Sequence, residues 1–219
     1  MYNFVMAINL AQYQAIKEAL PKGVTLCIVS KHHTTKDILD YYALGERIFA
    51  ENRLQELQEK YPLKEDIQWH FIGHVQKNKV RQIVPMVSMI QSVDSIALVD
   101  CIQKECVRIQ KKMPILAEFH LALDDTHKTG LLEEEADAFF THCQSLDHIL
   151  LEGIMVMGPH TTDINEIHQV FQKAQDLFET LKKKYPITTL SMGMSDDYPI
   201  ALAHGSTMVR IGSALYQED

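Results

Sequence analysis

Short apolar runs alternate with longer segments of helical period along most of the chain. Residues 24–30 (VTLCIVS) are apolar and rich in β-branched side chains, which predicts a buried strand. In residues 164–184, apolar side chains recur every three or four positions, and three lysines stand at the end. That pattern predicts a surface helix with one buried face and cations at its carboxyl end.

The same reasoning predicts eight strands with a helix between each strand and the next. The strands are expected at 24–30, 47–50, 68–72, 89–92, 115–121, 151–155, 189–192 and 208–211. The helices are expected at 34–43, 52–61, 76–84, 95–112, 133–144, 164–184 and 197–204, after an opening helix at 10–20. No Pro/Gly/Ser-rich linker, charge block or short repeat interrupts the alternation.

This order favours an α/β fold, a (β/α)8 TIM barrel with an extra N-terminal helix, as a single domain over residues 1–219. The alternative is an open doubly wound sheet. Such a sheet normally carries a glycine-rich turn after its first strand. This chain has Ser30, Lys31, His32 and His33 there.

Composition narrows the functional classes. A formal charge of −8 over 219 residues argues against nucleic acid or an anionic membrane as the main partner. The chain shows neither a long apolar segment nor the charged-then-apolar order of a signal peptide, so we expect a cytoplasmic protein. The four cysteines show no CxxC spacing and are expected to be small buried thiols.

Lys31 stands at the carboxyl end of the first predicted strand, where barrel enzymes place functional residues. One interpretation is a lysine that leaves the strand into water. The other is an amine that is made nucleophilic by desolvation, as in a Schiff-base lysine. The loops after the last two strands decide between them.

Small and hydroxyl-bearing residues follow strands seven and eight, the usual phosphate-binding loops of a barrel. They are Ser191, Met192, Gly193 and Ser195 after strand seven, and Gly212 and Ser213 after strand eight. Each alone suits a turn or a helix cap. Their joint placement predicts a nest of backbone amides for one phosphate.

A phosphate site, a strand-end lysine and Arg210 on strand eight together suggest pyridoxal 5′-phosphate (PLP). Its aldehyde needs an amine and its pyridine nitrogen needs a partner. Because arginine stays protonated, Arg210 would donate to an unprotonated ring nitrogen and weaken the ring as an electron sink.

Several motifs carry a family resemblance. The most specific are WHFIGH at 69–74 and SMGMS at 191–195, and further matching segments lie at 29–31, 49–56, 92–95, 128–130 and 205–212. The chain resembles the YggS/PROSC family of pyridoxal phosphate homeostasis proteins, relatives of the N-terminal barrel domain of alanine racemase (fold type III). The resemblance implies that Lys31 holds PLP as a Schiff base, that Arg210 faces the pyridine nitrogen, and that the 191–195 loop lies by the phosphate with Gly212 and Ser213. It also implies that Asn52 and His74 lie near the ring, and it adds Ser206 and Thr207 to the cofactor-binding set.

The implied function is intracellular vitamin B6 homeostasis, in which the protein buffers PLP or delivers it to PLP-dependent apo-enzymes without turnover. The alternative is a fold-type-III enzyme such as an amino-acid racemase, which needs a base on each face of the substrate. In the racemases the second base is a tyrosine brought by a C-terminal β-domain across a dimer. The chain stops seven residues after Gly212, so we expect a monomer with no catalytic residue. A third possibility is a barrel that binds another phosphorylated ligand without Schiff-base chemistry.

Some positions depart from the family pattern. Glu118 and His120 stand where the family usually has glutamine and asparagine, and His120 would either meet the cofactor or be a core histidine. Ala50 and Arg53 replace a usual glycine and tyrosine, His32-His33 replaces a usual Lys-Pro stretch, and the usual Gly-x-Arg ending is missing at 216–219.

Two other clusters are assigned no chemistry. The chain has eleven histidines, but His70 and His74 would stand about 13 Å apart in extended chain, too far for neighbouring ligands of one metal. We therefore expect no metal site. Asp124 and Asp125 are expected to mark a turn.

Overall fold

Parallel strands close into a barrel in the computed structural model, which describes residues 8–121 and 129–216. Within these ranges the strands are β1 (Thr25–Val29), β2 (Ile48–Glu51), β3 (Gln68–Phe71), β4 (Met89–Val93), β5 (Met113–Phe119), β6 (Ile149–Val156), β7 (Thr189–Ser191) and β8 (Met208–Ile211). Each strand pairs with the next, and β8 pairs with β1. The expected (β/α)8 barrel is confirmed, and the open sheet is excluded because the strand order closes.

Helices separate the strands. They are α1 (Leu10–Ala19), α2 (Thr35–Ala43), α3 (Leu54–Lys60), α4 (Val80–Ile83), α5 (Ile96–Ile109), α6 (Ala136–Gln144), α7 (Ile164–Lys182) and α8 (Tyr198–Ala203). The N-terminal helix α1 precedes β1, as expected. Helix α7 buries the predicted apolar stripe, from Ile167 through Phe171 to Leu181. No helix of the described ranges has both the length and the apolar character needed to span a bilayer.

Several predicted helix boundaries were wrong. The helix predicted at 52–61 begins at Leu54, because Arg53 has an extended backbone (φ −129°, ψ 135°). The helix predicted at 95–112 ends at Ile109, because Gln110 adopts a left-handed conformation (φ 54°) that stops it. The segments 76–84 and 133–144 each begin with a 3-10 turn, at Lys77–Lys79 and Glu133–Glu135. Apolar periodicity does not report such local backbone changes.

Strand boundaries also differ from the prediction, most of all in β5 and β6. Strand β5 begins two residues earlier than predicted and ends at Phe119, and β6 is longer at both ends. The two strands pair from Met113↔Ile149 to Phe119↔Val156. At their amino ends this pairing extends both strands two residues beyond the predicted runs.

Both apolar and polar side chains fill the barrel interior. Cys27, Ala50, Leu116, Met155 and Met208 form one buried cluster. A second, larger cluster packs the outer strand faces against the helices. Buried polar side chains lie within the barrel as well, namely His70, Gln91, Ser191 and Arg210. All four cysteines are free thiols, three of them buried and Cys101 half-buried.

Candidate functional site

A cavity of about 310 Å³ opens at the carboxyl ends of the strands. This volume lies at the lower end of the range for small-molecule sites. Half of the twelve predicted cofactor-binding residues line it, and it is completed by residues that the sequence reasoning did not select. The lining residues are Val29, Lys31, Asn52, Ile72, Gly73, Met157, Met194, Ser195, Asp196, Arg210, Gly212 and Ser213.

Lys31 lies in a turn just after β1 and contributes its side chain to the cavity wall. The sequence left open whether the Lys31 amine is solvated or desolvated, and the structure shows that Lys31 is exposed. The turn is tight, since His32 adopts a positive φ of 66°, which is uncommon for a residue with a Cβ. An amine on a constrained turn at the cavity remains accessible to a bound ligand.

Arg210 lies on β8 and is almost fully buried, with 2% of its surface exposed. Its Nη1 donates to the carbonyl oxygen of Ser191 at 2.9 Å and to the Ser191 hydroxyl at 2.7 Å, and its Nη2 donates to the carbonyl oxygen of Val156 at 3.0 Å. Burial lowers the pKa of Arg210, yet a guanidinium stays protonated in proteins. The cavity therefore has a fixed cation in its wall whose acceptors are neutral.

A chain of hydrogen bonds supports Arg210 from inside the barrel. The Ser191 hydroxyl donates to Gln91 Oε1 at 2.7 Å, and Gln91 Nε2 lies 2.9 Å from Nδ1 of His70. Burial lowers the pKa of His70 to about 4, so its neutral ring accepts from Gln91. Ser191 therefore supports Arg210 and does not line the cavity. Gln91 was missed, although its place in the middle of a predicted strand, after Met89 and Ile90, was a signal for a buried polar partner.

The loops after β7 and β8 meet at Ser195. Its Oγ accepts from the backbone amides of Gly212 at 3.3 Å and Ala214 at 3.2 Å. Two amides thus converge on one oxygen atom, which is the arrangement that backbone nests offer to an anion. Gly212 also packs closely on β1, because a Cβ at this position would lie 3.3 Å from Cβ of Val29.

Four other predicted site residues shape these loops without lining the cavity. Met192 is fully buried, and Gly193 has a positive φ of 95° that places its carbonyl oxygen 2.9 Å from the amide nitrogen of Arg210. The Ser206 hydroxyl donates to the carbonyl oxygen of Met192 at 2.8 Å, and Thr207 Oγ1 accepts from the amide of Leu190 at 2.8 Å. The hydroxyls of Ser206 and Thr207 are thus bonded to the backbone near β7 and β8. None of the four residues is among those that line the cavity, and their role in cofactor binding stays a prediction.

Of the two residues expected near the cofactor ring, Asn52 lies at the cavity and His74 lies beside it. Asn52 lines the cavity, and its buried Oδ1 has no hydrogen-bond partner among the described residues. Gly73 makes the close approach possible, because a Cβ there would lie 2.0 Å from the Asn52 carbonyl oxygen. His74 is exposed, faces Asp94 at 3.4 Å and lines a neighbouring depression. Asn52 therefore lies on the cavity wall and His74 outside it.

Carboxyl groups lie close to this site. Glu118 near the end of β5 is buried, and burial raises its pKa to about 7, with Asp94 adding to the rise and Arg210 opposing it. Burial also raises the pKa of Asp197, whose Oδ1 accepts from the Met194 amide at 2.6 Å. Asp196 is exposed on the cavity wall.

The sequence left the role of His120 open and did not select Ile72 or Met157. His120 is half-buried and is not among the cavity-lining residues. Ile72 and Met157 were missed, although each follows an inward-facing residue, His70 or Met155, by two positions. Asp124, Asp125, Lys128 and residues 217–219 lie outside the described residues.

Comparison with known proteins identifies the family. The model of the alanine racemase N-terminal domain matches residues 9–219. The pyridoxal phosphate homeostasis protein of Haemophilus influenzae is 36% identical over 200 residues, which cover 88% of this chain and 84% of the relative. The solved structure of PipY from Synechococcus elongatus PCC7942 with PLP bound superposes on this chain with a TM-score of 0.88 at 31% sequence identity. The PipY structure without PLP has a TM-score of 0.90 at 32% identity. Both comparisons cover 94% of this chain and 99% of the PipY chain. The chain therefore belongs to the family of pyridoxal phosphate homeostasis proteins, built on the alanine racemase N-terminal domain.

Proposed function

We propose that this protein binds PLP through Lys31 and serves PLP homeostasis by buffering or delivering the cofactor. The observation that carries the proposal is the arrangement of one cavity. An accessible amine, a buried guanidinium and two convergent backbone amides lie around it, contributed by Lys31, Arg210 and the loop at Gly212.

The residues present fit this cofactor group by group. Lys31 supplies the amine. The amides of Gly212 and Ala214 donate to Ser195 Oγ in this structure, and they suit a phosphate oxygen in place of that hydroxyl. Arg210 suits an unprotonated pyridine nitrogen as a donor. The partnerless Oδ1 of Asn52 is a buried acceptor on the same wall, and such an atom is costly unless a ligand or water donates to it.

Lys31 would hold PLP, which would supply an aldehyde carbon able to form a C=N bond with an amine and release its oxygen as water. The chain's own residues orient this attachment. Ser191 and Val156 fix the direction of Arg210, and Ser195 holds the two phosphate loops together. A cationic partner at the ring nitrogen makes the ring a weak electron sink, which suits storage of the cofactor better than chemistry at a substrate carbon.

The cavity wall supports a non-catalytic role. Among the described residues that line it, the titratable side chains are Lys31, Asp196 and Arg210. In the racemases the second base is a tyrosine, and no tyrosine is among the described residues that line the cavity. The names of relatives such as the Haemophilus influenzae protein refer to homeostasis. We therefore favour a carrier over the racemase alternative.

We extend the proposal to partners and location. A carrier that releases PLP needs apo-enzymes that accept it, so PLP-dependent apo-enzymes are the proposed recipients, met by a monomer in the cytoplasm. The four free cysteines suit a reducing compartment.

Titration of the purified protein with PLP tests the binding. We expect a new absorption band with one equivalent of PLP, absent in Lys31→Ala and present in the control Lys36→Ala, whose lysine is exposed on α2 and pairs with Asp40. A Lys31→Ala protein with the wild-type band would refute the assignment of Lys31.

Deuterium exchange tests the absence of turnover. The PLP-loaded protein is incubated with L- and D-amino acids in deuterated water, and exchange at the α-carbon is followed by NMR. The carrier role predicts no sustained exchange above that of free PLP. Sustained exchange would favour the racemase alternative.

A further inference from the structure

A buried lysine lies behind the turn that carries Lys31. Lys60, the last residue of α3, is 4% exposed. Its Nζ donates to the carbonyl oxygen of Ser30 at 2.7 Å, to Glu51 Oε1 at 2.7 Å and to Glu56 Oε2 at 3.0 Å. All three ammonium hydrogens therefore have a partner.

The two carboxylates of this cluster also bind the turn directly. The Ser30 hydroxyl donates to Glu51 Oε1 at 2.6 Å, and the His32 backbone amide donates to Glu56 Oε2 at 2.7 Å. The residues immediately before and after Lys31 are thus held by one ionic cluster. Lys31 itself belongs to the cavity wall.

The backbone between these anchors is constrained. His32 has φ 66°, a conformation that costs free energy in a residue with a Cβ and persists where the surroundings impose it. The bond from the His32 amide to Glu56 supplies such a constraint. Burial raises the pKa of Glu51, and the hydrogen bonds from Lys60 and Ser30 oppose that rise. Lys60 therefore stabilises the charged carboxylate to which the Ser30 hydroxyl donates.

We propose that Lys60, together with Glu51 and Glu56, is a positioning residue for Lys31, because it fixes the backbone on both sides of Lys31 and so directs its amine into the cavity. This role rests on the covalent PLP binding proposed above. If the cluster only joined α3 to the barrel, its loss would lower the overall stability and would weaken the binding of all ligands of the cavity equally.

Two ligands separate these roles. Pyridoxine 5′-phosphate has the ring and the phosphate but no aldehyde, so it uses the cavity without bonding to Lys31. PLP uses both the cavity and the amine. We would measure the affinity for pyridoxine 5′-phosphate by calorimetry and the rate of covalent attachment of PLP by stopped-flow absorbance, in Lys60→Met, Glu56→Ala and the control Lys36→Met. The control removes another lysine of an i,i+4 ion pair, with Asp40 at 2.6 Å.

We expect Lys60→Met to slow the attachment of PLP by about tenfold, since small misplacements of a reacting group have effects of this order or larger. Glu56→Ala should slow it severalfold, and the affinity of both variants for pyridoxine 5′-phosphate should stay within about threefold of wild type. Lys36→Met should match wild type in both assays. If Lys60→Met does not fold, Glu56→Ala tests the positioning role alone. Glu56→Ala is expected to fold, because Glu56 is partly exposed and water can replace its carboxylate as the acceptor of the His32 amide.

Wild-type attachment rates in Glu56→Ala and in folded Lys60→Met would overturn the positioning role alone. Equal losses for the two ligands would also overturn it, in favour of a purely structural role. A wild-type protein that binds pyridoxine 5′-phosphate but never attaches PLP would refute the covalent function and the positioning role with it.

Discussion

Nη1 of Arg210 lies 2.7 Å from the hydroxyl oxygen of Ser191, and this hydroxyl donates onward to Gln91 inside the barrel. A buried guanidinium is thereby held by side chains that do not line the cavity. The direction of Arg210 thus depends on side chains that no ligand in the cavity need touch.

Ser191→Ala should lower both the stability of the protein and its affinity for a ligand in the cavity. It removes one acceptor of Arg210 and leaves Gln91 Oε1 without its donor, so the free energy of unfolding should fall by about 1–3 kcal/mol. The affinity for pyridoxine 5′-phosphate should fall severalfold. Urea unfolding and calorimetry measure the two effects.

Ser145→Ala is the matched control, because the exposed Ser145 hydroxyl donates to the carbonyl oxygen of His142 at 2.7 Å. Its removal should change the free energy of unfolding by less than about 0.5 kcal/mol. Equal changes in the two variants would contradict the supporting role of Ser191.

Arg210→Gln should change the protonation of the bound ring. The wild-type cation disfavours a second positive charge on the pyridine nitrogen, so its loss should raise the pKa of that nitrogen in the bound cofactor. Loss of a charged hydrogen bond should also weaken binding, by about 10- to 100-fold. The nitrogen-15 chemical shift of labelled PLP reports the protonation state directly.

Arg108→Gln controls for the loss of an arginine, since Arg108 is half-exposed and pairs with Glu105 at the surface of α5. It should leave the nitrogen-15 shift unchanged. An unchanged shift in Arg210→Gln would show that Arg210 does not face the ring nitrogen.

Glu118 should make the stability depend on pH. Burial raises its pKa from 4.5 to about 7 in the folded protein, so the folded state binds more protons than the unfolded state between these values. Its contribution is therefore fully present below about pH 4.5 and is lost as the pH rises through about 7. The difference corresponds to about 3 kcal/mol at most.

Glu118→Gln should therefore flatten the pH dependence of the free energy of unfolding between pH 5 and 8 and raise stability at pH 8 by about 1–3 kcal/mol. Glu179→Gln, at an exposed position on α7, serves as control and should change neither. Parallel pH profiles for Glu118→Gln and wild type would show that Glu118 titrates normally.

Much of the barrel follows from the sequence, because strands and amphipathic helices differ in the period of their apolar positions. The same alternation brings Lys31, Asn52 and Arg210 to the carboxyl ends of β1, β2 and β8, where they line one cavity. Positions at strand ends are therefore predictable when the strand order is known.

The contacts of a polar side chain are harder to predict. Ser206 and Thr207 stand in a family motif, yet both bind the backbone near β7 and β8. Lys60 was not singled out, because its contact with Ser30 joins residues 30 positions apart. Such pairings depend on tertiary packing, which a periodic pattern does not encode.

Trapping of the bound cofactor tests the central claim most directly. The PLP-loaded protein is reduced with borohydride, which fixes the C=N bond, and is digested and analysed by mass spectrometry. We predict one modified peptide that carries the reduced cofactor on Lys31. A reduced protein without label, or with its label on another lysine, would contradict the account.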